Sequence, residues 1–236
     1  TEQQNEMLQA EFSREEISYA LSRAKEKSAT GPSGQNIAFF KLLFAFAPDL
    51  ITAAVNQFAF VPGLADCKIF EWIRTRKIIY IPKKSQPESP GDYRPLSMLE
   101  IFYKIPSRII TARLTKVLPS LISDRQFGFM TNKGIQEPIL LATHLLHDAN
   151  QNNKPLQLVS FDIEKAFDKV SHQVIEQALF AFGIPTITVE AIKRLALVGY
   201  ARVEVNGKKG ILFLIKTGSG QGDPLSALLF LFASEP

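Results

Sequence analysis

With 236 residues, the chain is long enough to bury a sizeable core in one large domain or two small ones. Hydrophobic residues make up 46% of it, which is a globular composition and excludes a disordered chain. A single cysteine, Cys67, excludes an internal disulfide and a cysteine-based zinc site. The net charge of +4 is a mild basic bias.

The basic charge is concentrated in the segment from Arg74 to Lys116. This segment holds ten Lys and Arg residues against three acids, so it carries a net charge of +7. Such an excess suits a phosphate-rich partner, although a solvated face with Lys and Arg on display would give the same pattern. We therefore expect this segment to bind nucleic acid electrostatically.

The first half of the chain predicts helices followed by one strand. The S-x-x-E pattern of Ser13 and Glu16 is a capping box that opens the first helix, and the loop "TGPSG" ends it. The strand "RKIIYIP" is followed by "SQPESPGDYRP", which its Pro and Gly residues predict to be irregular. Further helices are predicted over Asn36–Phe46, Asp49–Val61, the second half of Ser97–Leu118, and Ile135–Asn150.

The second half mixes strands and helices. "LQLVSF" predicts an apolar strand that delivers Asp162 from its end, and Asn206-Gly207 is a strong signal for a β-hairpin. Helices are predicted from Ser171, over Thr188–Val198, and after the Gly-rich loop "GSGQGD". Helices and hairpins without βαβ alternation predict an α+β fold. The polar start and the absence of a long apolar stretch lead us to expect a soluble intracellular protein without membrane contact.

Asp162 is the first candidate for chemistry. An acid that leaves an apolar strand is held rigidly with its oxygens exposed, which suits a hard divalent cation such as magnesium. A strand-end Asp that caps the following turn is the alternative, and it is common in many folds.

Several segments, in order, resemble reverse transcriptases of the non-LTR retrotransposons. "FDIEKAFDKV" is similar to their first catalytic motif, and "GSGQGDPLSALLF" to the Gln-Gly motif that follows it. "ATGPSGQN", "IIYIPKKSQPESPGDYRPLSMLEIFYKI" and "QFGFMTNKG" resemble three further blocks of that family. No G-x-S-x-G elbow is present, which argues against a serine hydrolase.

The resemblance implies the fingers and part of the palm of a right-hand polymerase, without the thumb. Residues 1–105 would form fingers, 106–185 part of the palm with the first catalytic motif, 186–217 a fingers helix and hairpin, and 218–236 the start of a palm helix. The implied partners are an RNA template, a DNA primer and deoxynucleoside triphosphates. The implied activity is template-directed deoxynucleotidyl transfer by two magnesium ions.

The resemblance also implies roles for individual residues. Asp162 would be the catalytic ligand of both ions, with the backbone carbonyl of Ile163 as a further ligand. The triphosphate would be clamped by Lys83 and Arg94, with Lys84 as the alternative to Lys83. Phe167 would exclude a ribose 2′-hydroxyl unless it is a plain core residue. Leu96 would press on the template base, and Gln221 and Gly222 would contact the nucleotide.

The sequence departs from this family in one respect that bears on catalysis. Members carry a second strand with adjacent Asp-Asp beyond the Gln-Gly motif, and these 236 residues contain no Asp-Asp pair. We therefore expect a truncated enzyme that is inactive as this fragment, or a non-catalytic RNA-binding remnant of the same fold. An RNA-dependent RNA polymerase is a weaker alternative, because Phe167 offers no polar group to a 2′-hydroxyl.

Overall fold

The structure, a computed structural model, describes residues 1–25, 29–62 and 68–235, so Cys67 lies outside the described residues. Eleven α-helices are found in this part of the chain. They are α1 (Glu2–Gln9), α2 (Arg14–Ser22), α3 (Ile37–Phe46), α4 (Pro48–Phe60), α5 (Lys68–Arg74), α6 (Ile101–Val117), α7 (Gln136–Gln151), α8 (Ala166–Lys169), α9 (His172–Ala181), α10 (Thr186–Ile192) and α11 (Ser226–Ser234). Short 3₁₀ turns cover Pro90–Asp92 and Leu118–Ser120, and a π-helical turn covers Lys193–Leu197.

Four strands form one mixed sheet in the order β2-β1-β3-β4. They are β1 (Arg76–Pro82), β2 (Tyr93–Met98), β3 (Tyr200–Val205) and β4 (Lys208–Leu214). The β1–β2 and β3–β4 pairs are antiparallel hairpins, and β1 runs parallel to β3. The α+β prediction is therefore confirmed.

The core is built around helix α6. Its residues Tyr103, Ile105 and Leu114 are completely buried, and helices α1, α2, α4 and α11 pack against it. Leu99 and Ile101, at the start of the helix, are also buried, so the end of β2 is tied directly into the core. The edge of the sheet that carries β2 is therefore fixed to the most buried helix.

Most of the predicted helices and turns are confirmed. Ser13 and Glu16 form the predicted capping box, with each side chain accepting a backbone N–H of the other residue. Asn206 and Gly207 have φ values of 51° and 76°, the left-handed pair that a two-residue hairpin turn of type I′ requires. Helix α1 was not predicted, because its first eight residues include only two apolar side chains.

The prediction that "SQPESPGDYRP" is irregular was wrong in its last part. Residues from Tyr93 onward form β2, and Pro95 lies inside the strand. Proline has no N–H to donate, but β2 is the edge strand of the sheet, where a missing donor costs little.

The prediction of a strand leading to Asp162 was also wrong. Residues 155–163 form neither helix nor strand, and side chains that a strand would bury are exposed, with Phe161 at 89%. The apolar pattern favours a strand, but no other strand of the described chain lies alongside it, and a strand needs a hydrogen-bonded neighbour. The local pattern alone could not supply that neighbour.

The basic segment does not form one charged surface. Arg74, Arg76 and Arg113 are buried, and each donates hydrogen bonds to backbone carbonyls of other segments. Part of the +7 charge therefore stabilises the interior. The cations that remain exposed include Lys83 and Arg94, so nucleic-acid binding by this segment stays a prediction that depends on fewer residues.

In the described part of the chain, no single helix combines the length and apolar character needed to cross a bilayer. Helices α3 and α4 satisfy that requirement only together, and they are bent by 118° at the break between them.

Candidate nucleotide and template site

The first part of the candidate site is one face of the β1–β2 hairpin. Arg94 lies opposite Ile81 and Leu96 opposite Ile79, and side chains two residues apart share a face of a strand. Lys83 continues the pairing beyond β1, since its N–H donates to the carbonyl of Asp92 at 2.7 Å. Lys83, Arg94 and Leu96 are therefore brought to the same face.

The two lysines at the tip of this hairpin have different surroundings. Lys84 forms an ion pair with Asp92 at 3.1 Å, while Lys83 Nζ donates only to the neutral carbonyl of Gly91 at 2.9 Å. Hydrogen bonds from the backbone of Ser89 and Glu88, followed by Lys84, lower the pKa of Asp92. Lys83 is thus the lysine whose charge is not compensated by a carboxylate in the described structure.

The loop Gly218–Gly222 docks on strand β2. The N–H of Ser97 donates to the carbonyl of Gln221 at 2.9 Å. A Cβ on Gly222, whose φ is 113°, would lie 2.7 Å from the Ser97 carbonyl oxygen and 3.6 Å from Leu96 Cδ1. Glycine is required here by both the close approach and the backbone conformation. Gln221 is therefore hydrogen-bonded to the Ser97 backbone, and Gly222 lies beside Leu96.

A buried arginine holds this loop from the interior. Arg76 is 2% exposed, and it donates from Nη1 to the carbonyl of Ser219 at 3.1 Å and from Nη2 to the carbonyl of Ala196 at 2.6 Å. The guanidinium is planar and carries several donors, so it can join two backbone segments at once. Ser226 Oγ adds hydrogen bonds to the carbonyls of Ser219 and Gly220 at 3.0 and 2.6 Å.

A buried carboxyl group holds the other end of the loop. Asp223, 7% exposed, accepts hydrogen bonds from the hydroxyls of Tyr103 and Ser107 and from the N–H of Leu225. Burial, followed by the negative charge of Asp223, raises the pKa of Tyr103 well above its usual value. Both hydroxyls come from the core helix α6, so the loop is tied to the most buried helix of the fold.

The segment with Phe167 packs against the start of the same loop. The N–H of Ser219 donates to the carbonyl of Phe167 at 3.1 Å, and a Cβ on Gly218 would lie 2.5 Å from that carbonyl oxygen. The half-buried Phe167 ring lies 5.2 Å from the ring of Phe230 and 6.1 Å from that of Phe129. Phe167 is therefore close to the loop and outside the buried core.

His172 makes a further contact between these segments. Its Nε2 lies 2.8 Å from the carbonyl oxygen of Gly218, a distance at which a protonated Nε2 donates. Burial is the main cause of a lowered His172 pKa, and the positive charge of Arg76 acts in the same direction, while the Gly218 hydrogen bond opposes them. The neutral Nε2–H form is thus favoured.

Asp162 and Ile163 lie in the irregular, exposed segment that leads into α8. Lys165, three residues after Asp162, has a left-handed backbone with φ of 54°, a conformation that non-glycine residues rarely adopt. Among the described residues there is no group of three or more His, Cys, Asp or Glu that could hold a metal ion. Asp162 and the Ile163 carbonyl fit only part of a magnesium shell, and the structure does not complete a two-ion site.

The sequence analysis did not single out Arg76, Tyr103, Ser107 or Asp223. Asp223 directly follows the Gln-Gly motif, which was the one available signal. Arg76 is the first residue of an apolar strand and could equally have been exposed. Burial of a charged residue depends on partners that are distant in the sequence, 116 to 143 residues away in these cases.

The family described as "Reverse transcriptase (RNA-dependent DNA polymerase)" matches residues 81–235. The chain is 28% identical over 237 residues to the transposon TX1 uncharacterized 149 kDa protein of Xenopus laevis, a match that covers 100% of this chain and 18% of the relative. It is 28% identical over 158 residues to the Pol polyprotein of the retrotransposable element R2DM of Drosophila melanogaster, covering 67% of this chain and 15% of the relative. For the R2 Pol polyprotein of Nasonia vitripennis the identity is 31% over 154 residues, or 65% of this chain and 15% of the relative. The chain thus spans less than a fifth of the length of these relatives.

Proposed function

Since the chain belongs to the reverse transcriptase family of the non-LTR retrotransposons, we propose that it forms the nucleotide- and template-binding part of an RNA-directed DNA polymerase. The substrates proposed are an RNA template, a DNA primer and deoxynucleoside triphosphates. The relatives named as RNA-directed DNA polymerases, from transposon BS and mobile element jockey of Drosophila melanogaster, are consistent with this activity.

One observation carries the proposal. The docked loop Gly218–Gly222 contacts β2 at Leu96 on one side and the backbone of Phe167 on the other. Three segments that are separate in the sequence therefore meet at this loop, and Lys83 and Arg94 belong to the same hairpin as Leu96. Cations suit the phosphates of a nucleotide, and an open glycine backbone allows its sugar and base to approach closely.

We assign the triphosphate to Lys83 and Arg94. Lys83 acts as a point charge, and the exposed Arg94 can offer a planar pair of donors to phosphate oxygens. Lys84 is less suited, because its ammonium is already paired with Asp92. Leu96 would contact the template base, and Gln221 and Gly222 the nucleotide and template strand.

We assign the choice of sugar to Phe167. In the complete enzyme, Phe167→Ala should admit ribonucleotides, because a half-buried ring beside the loop is removed while Asp162 is left intact. Ribonucleotide incorporation that stays at the parent level, with an unchanged melting curve, would reduce Phe167 to a packing residue.

We propose magnesium as the cofactor, with Asp162 and the Ile163 carbonyl as two of its ligands. Magnesium would supply charge stabilisation at the transferring phosphate and lower the pKa of the primer 3′-hydroxyl. Further carboxylates would have to come from residues other than those described, because the described ones offer no cluster of three. For that reason we expect the 236-residue chain by itself not to extend a primer.

The same observation favours a second function, RNA binding without catalysis. The surface with Lys83, Arg94 and Gln221 can grip a nucleic acid without the metal site. Primer extension on an RNA template separates the two when these residues are tested within the complete enzyme: extension that Asp162→Asn abolishes supports the enzyme, and RNA binding without extension supports the second function.

Binding is tested by the salt dependence of affinity for an RNA–DNA duplex. Each phosphate contact contributes about 0.9 to the slope of log affinity against log salt on a duplex. Changing Lys83 and Arg94 together to Ala should therefore lower the slope by about 1.8. The matched control changes Lys154 and Lys208 to Ala, which removes the same charge from two exposed positions outside the site. Equal slopes for the site variant and the parent, at an unchanged fold, would contradict the assignment.

A further inference from the structure

A second cleft, with lining residues that differ from those of the surface proposed to bind the nucleotide, lies between helix α5 and the face of β1 that carries Lys77, Ile79 and Ile81. Its volume is about 440 Å³, within the range of about 300–1,000 Å³ typical of ligand clefts. Lys83, Arg94, Phe167 and Gln221 are not among its lining residues. It is therefore a separate feature of the described chain.

One wall of the cleft is a single face of α5. Lys68, Glu71 and Trp72 line it, and their spacing of three and four residues places them on the same side of the helix, while Thr75 lines the cleft directly after the helix ends. Trp72 is the only tryptophan of the chain, and 47% of it is exposed. A large aromatic ring that is left half-exposed in a cleft offers a face for stacking.

The other wall is formed by one row of side chains across the sheet. Lys77 of β1 pairs with Arg202 of β3, and Arg202 pairs with Leu212 of β4, so the three residues lie side by side and point to the same face. In the next row, Lys209 lies opposite Glu204. The wall is thus a stripe of cations with one apolar contact.

The charges in the cleft are not balanced among the described residues. Lys77 is paired with Glu204 at 2.9 Å. Arg202 and Lys209 form no ion pair or side-chain hydrogen bond with any described residue. Arg202 Nε is shielded from solvent without an acceptor. With five cations and two acids lining it, the cleft carries a net charge of +3. An anionic ligand would compensate this charge.

From this arrangement we infer that the cleft binds a segment of single-stranded nucleic acid, with a base stacked on Trp72 and phosphates held by Arg202 and Lys209. The inference rests on the proposed function in that the ligand is a nucleic acid. Stacking on aromatic side chains combined with a basic groove is the way in which proteins hold unpaired strands. A duplex keeps its base faces covered, so only an unpaired strand offers one to Trp72.

The cleft is connected to the loop of the first site. Arg76 lines the cleft, and its Nη1 donates to the Ser219 carbonyl within that loop. Pro32, from the loop "TGPSG", lines it as well, and the Ser33 backbone N–H and hydroxyl donate to the buried carboxylate of Glu100 at 2.7 and 2.6 Å. A strand in the cleft therefore lies against two segments that are anchored in the core.

The test uses the fluorescence of Trp72, which reports on this cleft alone because the chain has no other tryptophan. The 236-residue chain is titrated with oligouridylate, with oligothymidylate of the same length, with inorganic triphosphate and with polyglutamate. We expect quenching by the oligouridylate or the oligothymidylate, and their comparison distinguishes an RNA from a DNA strand. Triphosphate should leave the fluorescence unchanged, because it has no base to stack.

Lys209→Ala is the decisive variant, and Lys208→Ala is its matched control. The two residues are neighbours on β4 and lose the same charge, but successive side chains of a strand point to opposite faces, and only Lys209 lines the cleft. A phosphate contact with a single strand contributes about 0.7 to the salt slope, so losing one at about 0.15 M salt weakens binding about fourfold. We expect this loss for Lys209→Ala and parent affinity for Lys208→Ala.

Four results would overturn the inference, and the first three come from the ligand titrations and the two lysine variants. These three are no quenching by either oligonucleotide, equal weakening by both lysine variants, and equally strong quenching by polyglutamate, which would make the ligand an acidic protein segment. The variant with Lys83 and Arg94 changed to Ala should keep the quenching. If it alone loses quenching, the strand binds at the first site and the cleft assignment is wrong, while the proposed function stands.

Discussion

Replacing Asp223 with Ala tests whether the buried carboxyl group holds the Gln-Gly loop. The change removes the acceptor shared by the hydroxyls of Tyr103 and Ser107 and by the N–H of Leu225. Tyr103 and Ser107 are both completely buried, so water cannot replace the lost acceptor without a rearrangement.

The loss in free energy of unfolding follows from the groups that are left without a hydrogen-bond partner. A buried donor that loses its acceptor costs about 1–3 kcal/mol. With two hydroxyls and one N–H affected, we expect Asp223→Ala to lower the free energy of unfolding by at least about 3 kcal/mol. Domains are stable by only about 5–15 kcal/mol, so the loss should be large in a urea titration followed by circular dichroism.

A second measurement distinguishes orphaned hydroxyls from a simple loss of packing. If the cost comes from orphaned hydroxyls, then removing them as well should restore stability. The triple variant with Tyr103→Phe, Ser107→Ala and Asp223→Ala should therefore be more stable than the sum of the separate changes predicts, by at least about 1 kcal/mol.

Additive effects, within about 0.5 kcal/mol, would refute the network. Asp124→Ala serves as the control for loss of an acid, because its carboxylate is fully exposed and its ion pair with Lys133 Nζ is long, at 4.0 Å. This control should change the free energy of unfolding by less than about 0.5 kcal/mol.

Three other changes test the His172 contact, the docked loop and the buried Arg113–Glu16 pair. His172→Gln should remove a pH dependence of stability. The His172 pKa is lowered in the fold, so the neutral form contributes stability that is complete above about pH 6.5 and is lost as the pH falls. In urea titrations between about pH 7 and pH 5, the parent should therefore lose stability relative to the variant. Gly222→Ala should displace the loop, because its Cβ would meet the Ser97 carbonyl oxygen at 2.7 Å and a φ of 113° is strained for alanine. Both the melting temperature and the binding of an RNA–DNA duplex should therefore fall, and unchanged values would contradict the docking. Arg113→Met should cost about 3 kcal/mol, because the Glu16 carboxylate loses both of its 2.7 Å hydrogen bonds from the guanidinium, and Glu16→Gln in the same chain should recover part of that loss.

Local signals in the sequence were sufficient wherever the structure depends on neighbouring residues. The capping box of Ser13 and Glu16 and the turn at Asn206-Gly207 were both predicted correctly, because their hydrogen bonds and backbone angles are set within a few residues. The strand Arg76–Pro82 was also predicted correctly, because its apolar, β-branched run closed by Pro82 is a local signal that agrees with its pairing.

The wrong secondary-structure predictions concern segments whose conformation depends on partners distant in the sequence. The segment before Asp162 has the composition of a strand, but no neighbouring strand in the described chain pairs with it. Tyr93–Met98 has a proline and a polar start, yet it forms a strand because β1 pairs with it. The pairing partner outweighs local propensity in both cases.

The candidate site shows the same division between local and distant determinants. Lys83, Arg94 and Leu96 were named from a resemblance, and the alternation of the β1–β2 hairpin explains how they share a face. The role of the buried Arg76 could not be recognised from the sequence, because it depends on a hydrogen bond to the carbonyl of Ser219, 143 residues away.

The buried polar groups explain why the loop with Gln221 can serve as a binding surface although Gln221 and Gly222 are at least partly exposed. A glycine-rich loop is flexible when isolated, and ordering it during binding would cost free energy. Here Arg76 fixes the Ser219 carbonyl, and Asp223 ties the end of the loop to helix α6. The ordering cost is therefore met during folding, so a nucleotide that contacts Gln221 and Gly222 would find the backbone already in place. Buried charges that a small core would normally avoid are in this way explained by the preorganisation of the loop.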